Sequence, residues 1–330
     1  MYFKYFLRQA WINFKKSFAF TAINIFGLTI GISGFLVIYI FVAYDLNFDR
    51  FHKDIDRIYR VVSKGEMAGQ DYKYSGVPMP LATSILSNIA GIETASVVHL
   101  YGKNVSARIK EKKSSSQPAS FEEQSNIVFT DSNYFKIFDY EWIAGSPAAL
   151  GEPYSVVLTA NRVRLYFPGE EASNIVGRSI VYNDSVQVSV TGIVQNPDHP
   201  TDLAFEEFIS FKTIEIGSLK DGMYWNNWGT VLGDNQLFLK LTTNAQRGQV
   251  ENELTAIFKQ NAGIPLKMGF HLQALSDLHF KGEYGSFGRQ ADLSQLGILV
   301  VAALILLSLG CINFGNLALA NASKRVNEIS

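Results

Sequence analysis

Two long apolar runs, each free of Asp, Glu, Lys and Arg, bracket an otherwise polar chain: Phe18 to Tyr44 and Leu293 to Ser323. Each exceeds the roughly 20 apolar residues needed to cross a bilayer core of about 30 Å, so each predicts a transmembrane helix. Between them, from Asp45 to Asp292, apolar positions recur at short periods rather than in unbroken runs. The pattern predicts one large domain held by a membrane helix at each end.

Ahead of the first run, Phe3, Phe6, Leu7, Ala10, Trp11 and Phe14 fall at helical spacing with Lys4, Arg8, Lys15 and Lys16 mainly between them. That predicts an amphipathic helix over 1–17 lying in the headgroup plane, its cations toward lipid phosphate. Lys324 and Arg325 follow the second run. Basic flanks stay on the cytoplasmic side, so both chain ends are expected there and 45–292 outside. The first run is too long for the apolar core of a signal peptide, about 7–15 residues, and no small-x-small cleavage site precedes Asp45. It reads as an uncleaved anchor.

The middle segment predicts a mixed α and β fold. Arg57 to Lys64 is strand-like, Leu81, Ile85, Leu86 and Ile89 have helical spacing after Pro78 and Pro80, and Glu93 to Leu100 is strand-like again. The order recurs downstream: strand at Gln236–Leu241, helix at Gln246–Asn261 through Val250, Leu254, Ile257 and Phe258, strand at Met268–Leu275. Two β-α-β units separated by an insertion predict a split α/β sandwich, formed by 45–100 and 233–292. The insertion, 101–232, predicts a β-rich lobe: strands at Ile127–Phe129, Ser155–Leu158, Ser179–Tyr182 and Val186–Ile193, a turn at Asn183-Asp184, and short helices at Ser132–Phe138 and Ala160–Phe167. Lys110 to Ser125, polar with a serine run, predicts a mobile loop.

Charge and composition narrow the function. The formal net charge is −1, and because the amino-terminal tail is purely basic the middle is net acidic. An acidic exported domain disfavours nucleic acid as a partner. The single cysteine, Cys311, lies in the second apolar run, so the middle domain must hold by burial alone. Phosphate-loop, His-Glu-x-x-His and Gly-x-Ser-x-Gly patterns are all absent, so no catalytic, cofactor or metal residue is assigned. The histidines are scattered; His271 and His279 bracket a strand end but lack ligand-like pairing, and Asn196-Pro197-Asp198-His199-Pro200 reads as a rigid loop.

Inside the apolar runs, Gly27, Gly31 and Gly34 share a helix face, and Gly310, Gly315, Ala318 and Ala322 thin the second run. Small residues at this spacing let helix backbones approach closely. Asn24, Asn313 and Asn316 need hydrogen-bond partners in or near hydrocarbon, which predicts burial against other helices. These residues are the candidate helix-packing positions. Phe6, Arg8, Trp11, Lys15, Lys16, Lys324 and Arg325 are the candidate membrane-interface and coupling positions.

One set of motifs resembles a known family. Tyr44-Asp45-Leu46-Asn47-Phe48-Asp49-Arg50-Phe51-His52 with Asp56-Arg57-Ile58-Tyr59-Arg60-Val61 resembles the opening of bacterial MacB/FtsX-like ABC transporter permeases. Collinear with it come Asp131-Ser132-Asn133-Tyr134-Phe135, Gly177-Arg178-Ser179-Ile180, Val190-Thr191-Gly192-Ile193-Val194, Leu275-Ser276-Asp277-Leu278-His279-Phe280 and Cys311-Ile312-Asn313-Phe314-Gly315-Asn316. The resemblance implies an α+β membrane protein of the inner membrane, with two transmembrane helices around a periplasmic core domain. It also implies a separate cytoplasmic ATP-binding subunit, whose dimerisation on ATP moves the spans and the exported domain, and further spans or a second permease copy as partners. The chain ends at Ser330, where the family's Glu-Ile motif continues, so further spans are expected beyond it. Two other readings stay open: a two-span sensor ectodomain, and a tethered scaffold without an ATPase.

Overall fold

The computed structural model describes residues 18–67, 69–85, 89–109, 119–263 and 267–327. They fall into a helix unit, which takes in the described residues up to Leu46 and from Ala291 onward, and a sheet unit, Asn47–Gln290. The expected interfacial helix over 1–17 lies outside the described residues.

In the helix unit, α1 (Phe18–Leu46) and the last helix (Leu293–Asn327) are apolar around most of their circumference. Their windows Ala22–Leu46 and Leu293–Asn316 are long and apolar enough to cross a membrane. At 1.5 Å per residue either window exceeds a hydrocarbon core of about 30 Å. Ile23, Phe26, Ile30, Val37, Ile298, Leu304 and Leu309 all point away from protein. In water that surface would be a large liability, whereas in lipid it is the ordinary solvent-facing side. The two helices run antiparallel, since Gly27 meets Asn313 while Gly34 meets Leu306.

Among the described residues of the sheet unit, thirteen strands share one sheet. Its first part is β1 (Ile58–Met67), β3 (Ile92–Leu100), β12 (Asn235–Leu241) and β13 (Lys267–Ala274) in the order β13-β1-β12-β3. Each neighbouring pair is antiparallel, with Val61 opposite both Leu237 and Leu272. β2 (Gln70–Tyr74) folds back on β1. The inserted strands continue from β3: β6 (Ile127–Thr130), β11 (Glu207–Ser210), β8 (Ser155–Thr159), β10 (Val186–Val194), β9 (Ser179–Tyr182), β4 (Val105–Ile109) and β5 (Ala119–Gln124). β7 (Trp142–Ala144) pairs with β10. The inserted strands therefore extend the porter-like strands edge to edge, through Val98 opposite Thr130, instead of forming a sheet of their own.

The central strands are buried on both faces, which is why they read as unbroken apolar runs. Val61, Val97, Phe129, Leu158, Ile209 and Leu237 point to one core, Ile58, Val98, Val128, Val157, Phe208 and Phe238 to the other. The first core is covered by α2 (Arg247–Ala262), through Val250, Leu254 and Phe258 at four-residue spacing. Gly263, in the left-handed region at φ 64°, ends that helix. The same helix closes the outer edge of β13: Phe270 N–H donates to Thr255 Oγ1 (3.1 Å) and Leu272 N–H to Glu251 Oε1 (2.8 Å). An open edge would otherwise present those donors to another chain.

Two expectations change. The helix after Pro78 is shorter than its apolar spacing suggests, spanning Met79–Ser84, with residues 86–88 outside those described. The loop expected over Lys110–Ser125 gives way at its end to β5, which pairs with β4. β5 is an edge strand with mostly exposed side chains, so it lacks the apolar alternation that marks a strand in sequence; Phe121 turns inward against Tyr166, and Gln124 accepts from Arg162. The Asn183-Asp184 turn forms as expected, with φ 45° and 55°.

Candidate functional site

Three segments that stand out in the sequence meet on the second core face of the sheet unit. They are residues 47–54, which directly follow α1, the loop 196–206 between β10 and β11, and residues 275–290, which lead from β13 toward the last helix. Apart from the 3-10 turns Leu275–Asp277 and Gly282–Tyr284 in the third, they are irregular, so side chains must hold them together.

Asp49 is the pin. Its backbone sits in the left-handed region at φ 58°, which a short polar side chain tolerates better than most. Its N–H donates to Pro200 O (3.0 Å), Oδ1 accepts from the Thr201 hydroxyl, and Oδ2 accepts from Asp202 N–H (3.2 Å). His52, one helical turn on, brings Nε2 to 3.7 Å from Asp49 Oδ1 and meets the Phe138 ring edge-on at 5.3 Å. Asp202 then reaches the third segment, with Oδ1 3.2 Å from His279 Nδ1. A carboxylate only accepts, so Nδ1 is the protonated nitrogen of that pair. Phe48 stacks on the other side of His279, and Phe51 on His199.

The cluster is nearly dry: Asp49, His52, Asp202 and His279 are all buried. Burial pushes the Asp202 carboxyl up, the Asp49 charge adds to that, and the His279 contact and the Arg60 charge oppose it. Burial also pushes up the fully buried Tyr134 and the half-buried Tyr140, with the Asp49 charge contributing. Arg60, fully buried on β1, binds the neutral acceptors Gln273 Oε1 (2.6 Å from Nη2), Gln236 Oε1 and Gly285 O, and lies over the Phe287 ring. Desolvation lowers its guanidinium to about 10, so it keeps its charge at neutral pH. It ties β1 to the 275–290 segment.

Among the described residues no three His, Cys, Asp or Glu side chains form a metal-holding group. His271 lies 3.6 Å from Glu251 and His279 pairs with Asp202, so each has its own carboxylate. What the geometry provides is a mechanical clasp between the two segments by which the chain enters and leaves the domain.

The candidate helix-packing residues divide. Asn313 Nδ2 donates to Asn24 O (2.7 Å) across Gly27, where a Cβ would stand 2.6 Å from that nitrogen. A Cβ on Gly31 would meet Leu306 O at 2.9 Å and Gly310 Cα at 3.2 Å, and one on Gly34 would meet Leu306 Cδ1 at 2.9 Å. The structure brings these together with buried Asn24. Gly315 faces open space and Asn316 is exposed, so neither joins that contact. Phe6, Arg8, Trp11, Lys15 and Lys16 lie outside the described residues; Lys324 and Arg325 fall on the helix backbone near its end, their side chains outside what is described. The Asp49–His52–Asp202–His279 cluster was not expected from the sequence. Asp49, His52 and His279 sit in the family-like motifs and Asp202 lies two residues past the Asn-Pro-Asp-His-Pro turn, but nothing in their spacing says that these meet.

With this geometry in hand, the comparisons are informative. The family model of the MacB-like periplasmic core domain matches residues 21–257. No curated protein matches the chain. Among solved structures, a domain of a protein described as a permease from Porphyromonas gingivalis has a similar fold, with a TM-score of 0.53 and 15% identity over 76% of this chain and 99% of that one. The periplasmic region of MacB from Actinobacillus actinomycetemcomitans matches with a TM-score of 0.44 and 16% identity, over 66% of this chain and 89% of that one. The extracellular domain of the noncanonic ABC-type transporter YknZ from Gram-positive bacteria gives 0.43 and 10%, over 64% and 98%. The family match spans most of the chain, from α1 into the helix Arg247–Ala262. The chain belongs to the MacB/FtsX-like permeases, whose mark is the MacB-like periplasmic core domain.

Proposed function

We propose that this chain is the permease component of an ABC-type transporter whose ATP is hydrolysed on a separate cytoplasmic subunit. In this reading the sheet unit lies outside the cytoplasmic membrane and both chain ends inside, as the basic flanks of the apolar helices require. The domain turns movement of the helices into movement at its outer surface, for export or extraction of a substrate. The observation that carries the reading is the clasp: the segments following α1 and preceding the last helix are fastened to each other and to the β10–β11 loop. A displacement entering by either segment therefore reaches β11, in the middle of the sheet, through Asp49, Asp202 and the backbone that follows.

The test has two parts. With Cys311 replaced by Ala, a cysteine at Ser115 should react with a membrane-impermeant maleimide in cells whose outer barrier alone is opened. Reaction only after the cytoplasmic membrane is broken defeats the orientation. In vesicles holding the chain together with an ABC ATPase that copurifies with it, Asp49→Ala should uncouple ATP hydrolysis from transport while leaving the ATPase bound. Equal coupling in the variant and the parent defeats the role given to the clasp.

A further inference from the structure

We propose that Arg50 and Lys53 form a binding surface for the phosphate group of an anionic phospholipid, beside the point where the chain leaves its first membrane helix. The proposal rests on the membrane helices and not on the orientation or coupling argued above, so it stands or falls apart from them.

The clasp sorts the residues of this turn by side. Asp49 and His52 are buried and Phe48 and Phe51 half-buried, whereas Arg50 and Lys53, three positions apart, are turned out to solvent. Backbone bonds from Arg50 N–H to Asn47 O (3.4 Å) and from His52 N–H to Asp49 O (3.3 Å) fold 47–52 into consecutive turns. Among the described residues neither cation forms an ion pair or a side-chain hydrogen bond. The carboxylates of the same segment are engaged elsewhere: Asp49 with the Thr201 hydroxyl and Asp202 N–H, Asp54 with Arg57 and Lys240. Asp56 and Asp198 are exposed nearby in the chain, but pair with neither cation. Two positive charges are left facing solvent on a unit that is net acidic.

Chain length alone brings these charges to a bilayer surface. The apolar window Ala22–Leu46 has 25 residues, about 37 Å of helix at 1.5 Å per residue, and so exceeds a hydrocarbon core of about 30 Å. Arg50 follows Leu46 by four residues and Lys53 by seven, at most about 14 Å and about 25 Å for a fully extended chain, and the turns shorten both. A guanidinium offers a planar fork that matches two phosphate oxygens, and an ammonium adds a compact point charge, so the pair suits one phosphodiester. A basic residue near an anionic surface is worth about fivefold in affinity. Free carboxylates elsewhere on the sheet unit are repelled by the same surface, which confines the binding to this turn.

Photo-crosslinking of the full chain in lipid nanodiscs tests this. The discs are phosphatidylcholine with a small fraction of phosphatidylglycerol carrying a photoreactive headgroup, and adducts are read by mass spectrometry on the peptide spanning 47–57. That peptide should be marked about tenfold more than by a phosphatidylcholine probe with the same reactive group. Arg50→Gln with Lys53→Gln should lower the yield about tenfold or more. Lys64→Gln with Lys103→Gln, an equal loss of charge at exposed positions elsewhere on the sheet unit, should leave it unchanged. Exchange of the Asp49 N–H should match between parent and double variant, showing the clasp intact; where it does not, the single variants serve, each with a loss of about threefold or more. The proposal is overturned if the double variant, or both single variants in its place, keep the parental yield, or if the control pair loses as much. Equal labelling by the two probes overturns it too, and so does removal of the adduct by excess inorganic phosphate, which would make the ligand free phosphate.

Discussion

Phe48 lies nearly parallel to the imidazole of His279, 12° between the planes, although one follows the first apolar helix and the other precedes the second. Nothing in the local sequence of either residue requires the other. The contact exists because the Asp49–Asp202 link brings both segments to the same face of the sheet.

Removing that ring should be felt. Phe48 is half-buried, so Phe48→Ala should cost about 1–2 kcal/mol, below the 3–5 typical of a fully buried phenylalanine. The check is the urea midpoint of the sheet unit within the full chain. A lower midpoint at unchanged slope marks lost stability, and an unchanged midpoint refutes it.

Arg60 should tolerate no loss of its hydrogen bonds. Arg60→Ala removes the partner of Gln236, Gln273 and Gly285 O and opens a cavity, a change of about 3–5 kcal/mol. Arg60→Met fills more of the space and should lose about 1–3 kcal/mol for the stranded acceptors. Ranking the parent and both variants by thermal midpoint checks this: alanine as stable as methionine removes the packing contribution, and methionine as stable as the parent removes that of the hydrogen bonds.

In the helix pair, Gly31→Ala must push backbone against backbone, because Leu306 O and Gly310 Cα cannot swing away as side chains do. A loss of about 1–3 kcal/mol is expected, by analogy with overpacked cores. Gly315→Ala meets nothing within 4 Å and should be neutral. Unfolding both variants by detergent titration compares them on one scale, and equal stability would remove the close contact from the argument.

On the surface of the sheet unit, Asp54 bonds Lys240 and Arg57, and Glu93 bonds Arg57 and Lys240. The Lys240 and then the Arg57 hydrogen bond hold the Asp54 carboxyl below its usual 3.8; Arg57 first does the same for Glu93 below 4.5. Both are lowered carboxyls, so their stabilisation is present above those ordinary values and lost as pH falls through the folded ones. Asp54→Asn combined with Glu93→Gln should flatten the acid limb of the stability profile by lowering the neutral plateau slightly, with acid stability unchanged. Parallel acid limbs in parent and variant would count against the network.

What the sequence made legible follows from range. Helix α2 and the Asn183-Asp184 turn are specified by neighbours a few positions apart, so both are legible in the sequence. β5 was missed because its residues are polar on both sides, and β11 because Glu207 opens it. That carboxylate is fully buried only because Arg162, Tyr166 and Tyr182 reach it from other elements. Burial pushes it up while those partners draw it down, and no window of sequence contains them all. The clasp is the same case on a larger scale. Asp49, His52 and His279 lie in motifs that carry the family resemblance and Asp202 does not, and their meeting depends on a β10–β11 loop far from both linking segments.

The fastening of entry to exit also bears on how such a domain can change over evolutionary time. A module that knots its own two connections needs nothing from its host to stay closed. Its far strands, out to β4 and β5, can be lengthened, exchanged or resurfaced without reopening the junction. New specificity can thus accumulate at one end of the sheet while the attachment at the other stays as it was.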